Sequence, residues 1–149
     1  MAALRRRGLT VAVAESSAGG LIGHLLTEVP GSSAVFPGGV VAYHNRLKQA
    51  LGVPQATLTT HGAVSAETAE AMAQAVRTWA GADLGLAETG IAGPTGGSAE
   101  RPAGLFYIAL ADERSVTSER LLADSDRSAN KRACAHAALE MLLRRLGED

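Results

Sequence analysis

The chain has 149 residues, 46% of them hydrophobic and 19% charged, which suits one domain with a single well-buried core and argues against two. Fourteen Lys and Arg against fifteen Asp and Glu leave a formal charge of −1, and aromatic residues are 3% of the chain. That balance excludes a strong field drawing the chain to nucleic acid or an anionic membrane, and leaves too few rings for a base-stacking platform.

Arg5, Arg6 and Arg7 precede an apolar run, but Glu15 interrupts it after six residues, short of the roughly 7–15 that an export signal needs. No stretch approaches the ~20 apolar residues of a membrane span. A single cysteine, Cys134, rules out an internal disulfide and fits a reducing, cytoplasmic setting.

In chain order, Thr10 to Ala14 predicts a buried strand, followed by Glu-Ser-Ser-Ala-Gly-Gly and an apolar-periodic helix from Leu21 to Val29. Pro30-Gly31-Ser32-Ser33 breaks that helix. Gly39 to Tyr43 predicts a second strand, running into a helix from Asn45 to Leu51. Ser65 caps a longer helix over Ala66 to Ala80, with Glu67 and Glu70 in its early turns and Gly81 at its end. Asp83 to Glu88 predicts a third strand, Thr89 to Pro102 a Gly- and Pro-rich loop, and Gly104 to Leu110 and Val116 to Leu122 a closing pair of strands. A helix from Asp126 to Leu146 ends the chain. Early alternation of strand and helix with a late hairpin predicts an α/β fold: a three-layer α/β/α sandwich around a mixed, mostly parallel sheet of about five strands.

Three polar or glycine-rich clusters fall where strands end, the usual ligand position in open α/β sheets. They are Glu15 to Gly20, Gly31-Ser32-Ser33, and the run from Thr89 to Gly97. The first leads into a helix N-terminus, whose N–H groups suit a phosphate or a developing oxyanion. The last has four glycines, so its backbone can approach a ligand closely. Walker, Gly-x-Gly-x-x-Gly, Gly-x-Ser-x-Gly and His-Glu-x-x-His motifs are absent. His24, His44, His61 and His136 are too scattered to suggest a metal site.

Twelve of the fourteen basic residues are arginine; only Lys48 and Lys131 are lysine. A guanidinium stays protonated, whereas a desolvated ammonium can lose its proton and act as a base. Lys48 lies among Leu47, Ala50 and Leu51, where partial desolvation is expected. Ser33 or Ser16 with Lys48 is therefore a coherent amidase or peptidase set of the serine–lysine type.

Read together, Ala-Glu-Ser-Ser-Ala-Gly-Gly, Val-Pro-Gly-Ser-Ser-Ala-Val-Phe, Gly-Val-Val-Ala-Tyr-His-Asn-Arg-Leu-Lys, His-Gly-Ala-Val-Ser and Thr-Gly-Ile-Ala-Gly-Pro-Thr-Gly-Gly resemble one family over about Thr10 to Leu143. It is the C-terminal domain of CinA-type competence/damage-inducible proteins, also found alone as nicotinamide-nucleotide amidohydrolase. The resemblance implies deamidation of nicotinamide mononucleotide to nicotinate mononucleotide and ammonia in pyridine-nucleotide salvage, without metal or organic cofactor. It implies Ser33 as nucleophile, Lys48 as base, and Ser16 as a second active-site serine that relays the proton or binds the leaving group. Tyr43 and Asn45 match substrate-pocket positions, and Thr89, Gly90, Gly93, Gly96 and Gly97 the glycine-rich ligand loop. Arg127, Lys131 and Arg132 are candidates for the phosphate. The family tends to self-associate, so a homo-oligomer is expected; direct nucleic-acid or membrane binding is not.

Several residues depart from the family's usual pattern. Ser17 and Ala18 replace a thiol and a hydroxyl, and His44 a frequent serine. Asn130-Lys131 stands where valine-arginine is common. Glu88 occupies a position usually small or apolar, and a carboxylate there, if aimed inward, would repel a phosphate or need a basic partner. With eight or nine residues before the first strand, the leading helix is expected to be short. The other reading to be weighed is a catalytically weak nucleotide- or partner-binding module linked to competence or DNA damage.

Overall fold

The computed structural model describes residues 1–148. Its elements are α1 (Ala2–Arg7), β1 (Val11–Glu15), α2 (Leu21–Thr27), a 3-10 turn (Ser32–Ala34), β2 (Gly38–Val41), α3 (Asn45–Leu51), α4 (Gln55–His61), α5 (Ala66–Ala80), β3 (Leu84–Gly90), β4 (Leu105–Ala111), β5 (Val116–Leu122) and α6 (Arg127–Arg145). The five strands form one sheet in the order β2-β1-β3-β4-β5. β1 pairs in parallel with both β2 and β3, while β3–β4 and β4–β5 are antiparallel. The two parallel pairings come from the helical crossovers; the late hairpin supplies β4–β5, and the glycine-rich loop over 91–104 returns the chain antiparallel beside β3, so the sheet has two pairings of each kind where a mostly parallel one was expected.

The three layers follow from a size alternation along the central strands. Val11 and Val13 of β1, Leu84 and Leu86 of β3, and Phe106, Ile108 and Leu110 of β4 face α1, α2 and α6 in one core. The intervening residues, Ala12, Ala14, Ala87, Ala109 and Ala111, face α5 in the other. Small residues on that face let α5 lie close to the sheet. At Gly85 the approach is closest, because an added Cβ would stand 2.0 Å from Ala73 O and 2.8 Å from Arg77 Cβ. Gly85→Ala must therefore push α5 off the strand. Overpacking of this kind costs about 1–3 kcal/mol, and the expected result is a lower midpoint in chemical denaturation with the fold retained.

The short leading helix expected before β1 is present as α1, and one helix, α4, was not anticipated. α1 is six residues long and buries Ala3 and Leu4, as short as the leading segment allows. α4 follows Pro54, buries Leu58, and carries an i to i+4 bond in which Thr59 Oγ1 donates to Gln55 O at 3.0 Å. No helix among the described residues is long and apolar enough to cross a membrane.

Candidate active site

The carboxyl ends of β1, β2 and β3 lie side by side, and the segments leaving them meet at one cavity of about 240 Å³. Ser16 and Ser17 reach it from the end of β1, Tyr43 and Asn45 from the β2–α3 connection, Thr89 and the following loop from β3, and Arg127 from the first turn of α6. Lys48 enters from α3 and is 1% exposed.

α3 is started by His44, whose Nδ1 accepts from Arg46 N, and its fourth residue turns inward as Lys48. Lys48 Nζ lies 2.9 Å from Ser16 Oγ, 2.8 Å from Ala42 O and 3.2 Å from Tyr43 O. Two of these partners are carbonyls and only accept. The third, a hydroxyl, can also donate. A neutral amine with two N–H bonds spent on the carbonyls therefore presents its lone pair to Ser16 Oγ–H. Burial holds the Lys48 pKa below its ordinary 10.5, and the nearby Glu88 charge acts against that lowering.

Glu15 and Glu88 shape the loop that carries Ser16. Glu15 accepts from Gly20 N and Ile22 N through Oε2 and from Gly23 N through Oε1, at 2.8–3.0 Å. Those N–H groups belong to the start of α2. The helix terminus that suggested an anion site is thus satisfied by the chain's own carboxylate. Glu88 is fully buried and does not face the cavity as a lone charge: Oε1 accepts from Ser16 N at 2.5 Å and Ala18 N at 2.8 Å, and Oε2 accepts from Ser17 Oγ at 2.6 Å. Its oxygens are turned into the loop after β1 rather than toward the cavity, whose lining does not include it. Burial raises the Glu88 pKa, the three hydrogen bonds lower it, and the Glu15 charge adds to the rise.

Across the mouth, Arg127 Nη1 donates to Gly93 O at 2.7 Å and Nη2 to Tyr43 Oη at 3.4 Å, so an exposed guanidinium ties the glycine loop to the β2–α3 corner. Asn130 donates through Nδ2 to Ala92 O at 3.1 Å and Ser125 O at 2.9 Å and anchors the same loop to α6. Thr89 Oγ1 donates to Ala63 O at 2.7 Å, which fixes the segment before α5 as another wall.

Of the residues singled out from sequence, Ser16, Lys48, Tyr43, Asn45, Thr89, Gly90, Gly93, Gly96 and Arg127 all line this cavity. Ser33 does not. It sits exposed on the 3-10 turn, and Val35 O of the adjoining residues accepts from Val11 N at the start of β1. Ser16 follows the far end of the same strand, about 16 Å away at the usual rise. Within one chain Ser33 is not brought to Lys48. Gly97 packs against Ala103 N, and Arg132 donates to Ser128 Oγ in a separate cleft with Lys131 and His24. Glu15 as a loop clamp, and the Ala63-Val64 wall, were not foreseen. Glu15 at the end of an apolar strand carried a signal, because a carboxylate there must find donors. Ala63 and Val64 carried none.

The match to the CinA C-terminal domain spans residues 1–146. This chain belongs to that family. CinA-like proteins from Geobacter sulfurreducens and Synechocystis are each 50% identical to it, over 143 and 149 residues, covering 95% and 97% of the chain. Those alignments take in only 35% and 36% of the relatives' own length, so the chain spans about a third of these curated proteins. Among solved CinA-family structures, the competence/damage inducible protein CihA of Agrobacterium tumefaciens is 44% identical with a TM-score of 0.92, covering 97% of this chain and 89% of that one. A CinA superfamily protein of Klebsiella pneumoniae is 31% identical with a TM-score of 0.94, covering 98% and 92%. The CinA fold is thus the sandwich described above. Among the described residues no group of three His, Cys, Asp or Glu side chains is placed to hold a metal ion.

Proposed function

We propose that this CinA-family chain hydrolyses the carboxamide of nicotinamide mononucleotide, releasing ammonia and nicotinate mononucleotide, with Ser16 as nucleophile and Lys48 as general base. The observation that supports it most is the 2.9 Å contact between Ser16 Oγ and a buried Lys48 Nζ whose other partners are two carbonyls. Neutral Lys48 takes the Ser16 proton as Oγ attacks the carboxamide carbon. The resulting ammonium then gives that proton to the departing nitrogen, and ammonia leaves an ester on Ser16. Water, deprotonated by the same amine, attacks the ester, and the acid is released as the ammonium returns that proton to Ser16 Oγ, restoring the hydroxyl and the neutral amine. Sum and charge balance as amide plus water giving acid plus ammonia, with no cofactor in any step.

The sequence-based assignment of Ser33 as nucleophile is replaced in this proposal because Ser16 is the serine that Lys48 touches. The cavity suits a ring and its amide rather than a whole nucleotide, at about 240 Å³. The phosphate is proposed to remain at the mouth, where Arg127 keeps donors beyond its bonds to Gly93 O and Tyr43 Oη. The test compares nicotinamide mononucleotide with the nucleoside lacking its phosphate. The chain is expected to prefer the nucleotide in kcat/KM, and Arg127→Ala to raise KM for the nucleotide about tenfold while leaving the nucleoside little changed. An equal loss on both substrates would remove Arg127 from phosphate recognition, and no ammonia from either would refute the hydrolase reading.

A further inference from the structure

We propose that Glu88 is a positioning residue for the Ser16–Lys48 pair, clamping the main chain of residues 16–18 so that Ser16 Oγ meets Lys48 Nζ and supplying the counter-charge against which Lys48 holds its proton. The inference rests on reading Lys48 as the base. Ser16 is gripped from two sides: its N–H donates to Glu88 Oε1 at 2.5 Å while its Oγ contacts Lys48 Nζ at 2.9 Å. Ala18 N closes on the same carboxylate oxygen at 2.8 Å. With both ends of the Ser16–Ala18 segment held by one atom, the rotation of Ser16 about the end of β1 is fixed from β3.

A second observation accounts for the other carboxylate oxygen. Ser17 Oγ donates to Glu88 Oε2 at 2.6 Å. The buried carboxylate and a hydroxyl that donates to it occur together, as the cost of an unpaired buried charge requires. The titratable groups facing Glu88 are Glu15 from β1, Lys48 from α3 and Cys134 from α6. Cys134 Sγ lies 3.9 Å from Glu88 Oε2, and burial together with the Glu88 and Glu15 charges pushes its thiol pKa up, so it stays protonated. Lys48 is thus the one cation in that set. Its burial favours loss of the proton and the Glu88 charge favours keeping it.

Because the chain has only two lysines, Lys131→Arg leaves a single lysine side-chain resonance, that of Lys48. In lysine-labelled protein on that background, Glu88→Gln keeps the oxygen that accepts from Ser16 N and Ala18 N and removes the charge. The Lys48 titration midpoint is expected to fall by about one pH unit, and the acid limb of kcat/KM to fall with it. An unchanged midpoint overturns the proposal. The reciprocal variant, Lys48→Met, must raise the Glu88 carboxyl titration by a matching amount, since coupling between two groups is mutual. No change there overturns it equally, and this arm does not depend on Glu88→Gln folding. A lowered Lys48 midpoint in a protein that hydrolyses no amide would uphold Glu88 and sink the catalytic reading alone.

Discussion

Lys48→Arg is expected to reduce ammonia release from nicotinamide mononucleotide about 10³-fold, within the range that loss of a general base produces. The charge is preserved, so a Lys48 that acts only as a cation would tolerate the change. A base would not, because guanidinium cannot surrender its proton near neutral pH. Lys48→Met supplies the control for steric misfit: it has nearly the volume of lysine, suits a position 1% exposed, and is expected to lose as much. In the parent, kcat/KM should rise with pH along a limb below 10.5, because only the neutral amine accepts the Ser16 proton and burial lowers its pKa from that value. Initial rates in the two variants, beside circular dichroism, check the expectation. Retained turnover in Lys48→Arg would leave the base unassigned.

Ser16→Ala is expected to lose more, about 10⁴-fold or beyond, as removal of a nucleophile does when the remaining machinery stays intact. Ser33→Ala should stay within a few fold of the parent, because Ser33 lies exposed at the opposite end of β1 from the cavity. The reverse pattern, loss in Ser33→Ala with activity kept in Ser16→Ala, would mean that the attacking hydroxyl comes from a second copy of the chain. Mixing Ser33→Ala with Lys48→Met protein would then restore turnover.

Much of the fold was legible because hydrophobic period dominates local choice. α3, α5 and β5 have the bounds their capping residues and alternation predicted, from Asn45–Leu51, Ala66–Ala80 and Val116–Leu122. β1 is offset by one residue because Glu15, polar yet buried, still pairs with Val41. β3 runs two residues past Glu88 because Thr89 and Gly90 pair with Tyr107 and Phe106 across the sheet. α4 escaped notice for a physical reason: its three threonines are weak helix formers, and it is held by Leu58 packing inward rather than by propensity. The strand order was not written in local pattern at all, since it depends on which side each crossover takes.

The site divides along the same line. Ser16, Lys48 and the glycine loop were legible because scarce or unusual residues stood at strand ends. Glu88 was visible as an anomaly but its role was not, because its partners lie 70 to 72 positions earlier and meet it only when β1 and β3 pair. Ser33 shows the opposite failure. A serine in a Gly-Ser-Ser turn beside a strand resembles a catalytic one, yet parallel pairing of β1 and β2 sends that turn to the amino ends of the strands while Lys48 emerges at the carboxyl ends.

The most direct measurement is the mass of the enzyme during turnover. Nicotinamide mononucleotide mixed with the parent chain and acid-quenched within the first turnovers should yield a covalent adduct of the nicotinate nucleotide, localised by fragmentation to Ser16 and absent in Lys48→Arg. An adduct on Ser33, or ammonia released with no adduct on any serine, would contradict the Ser16–Lys48 account.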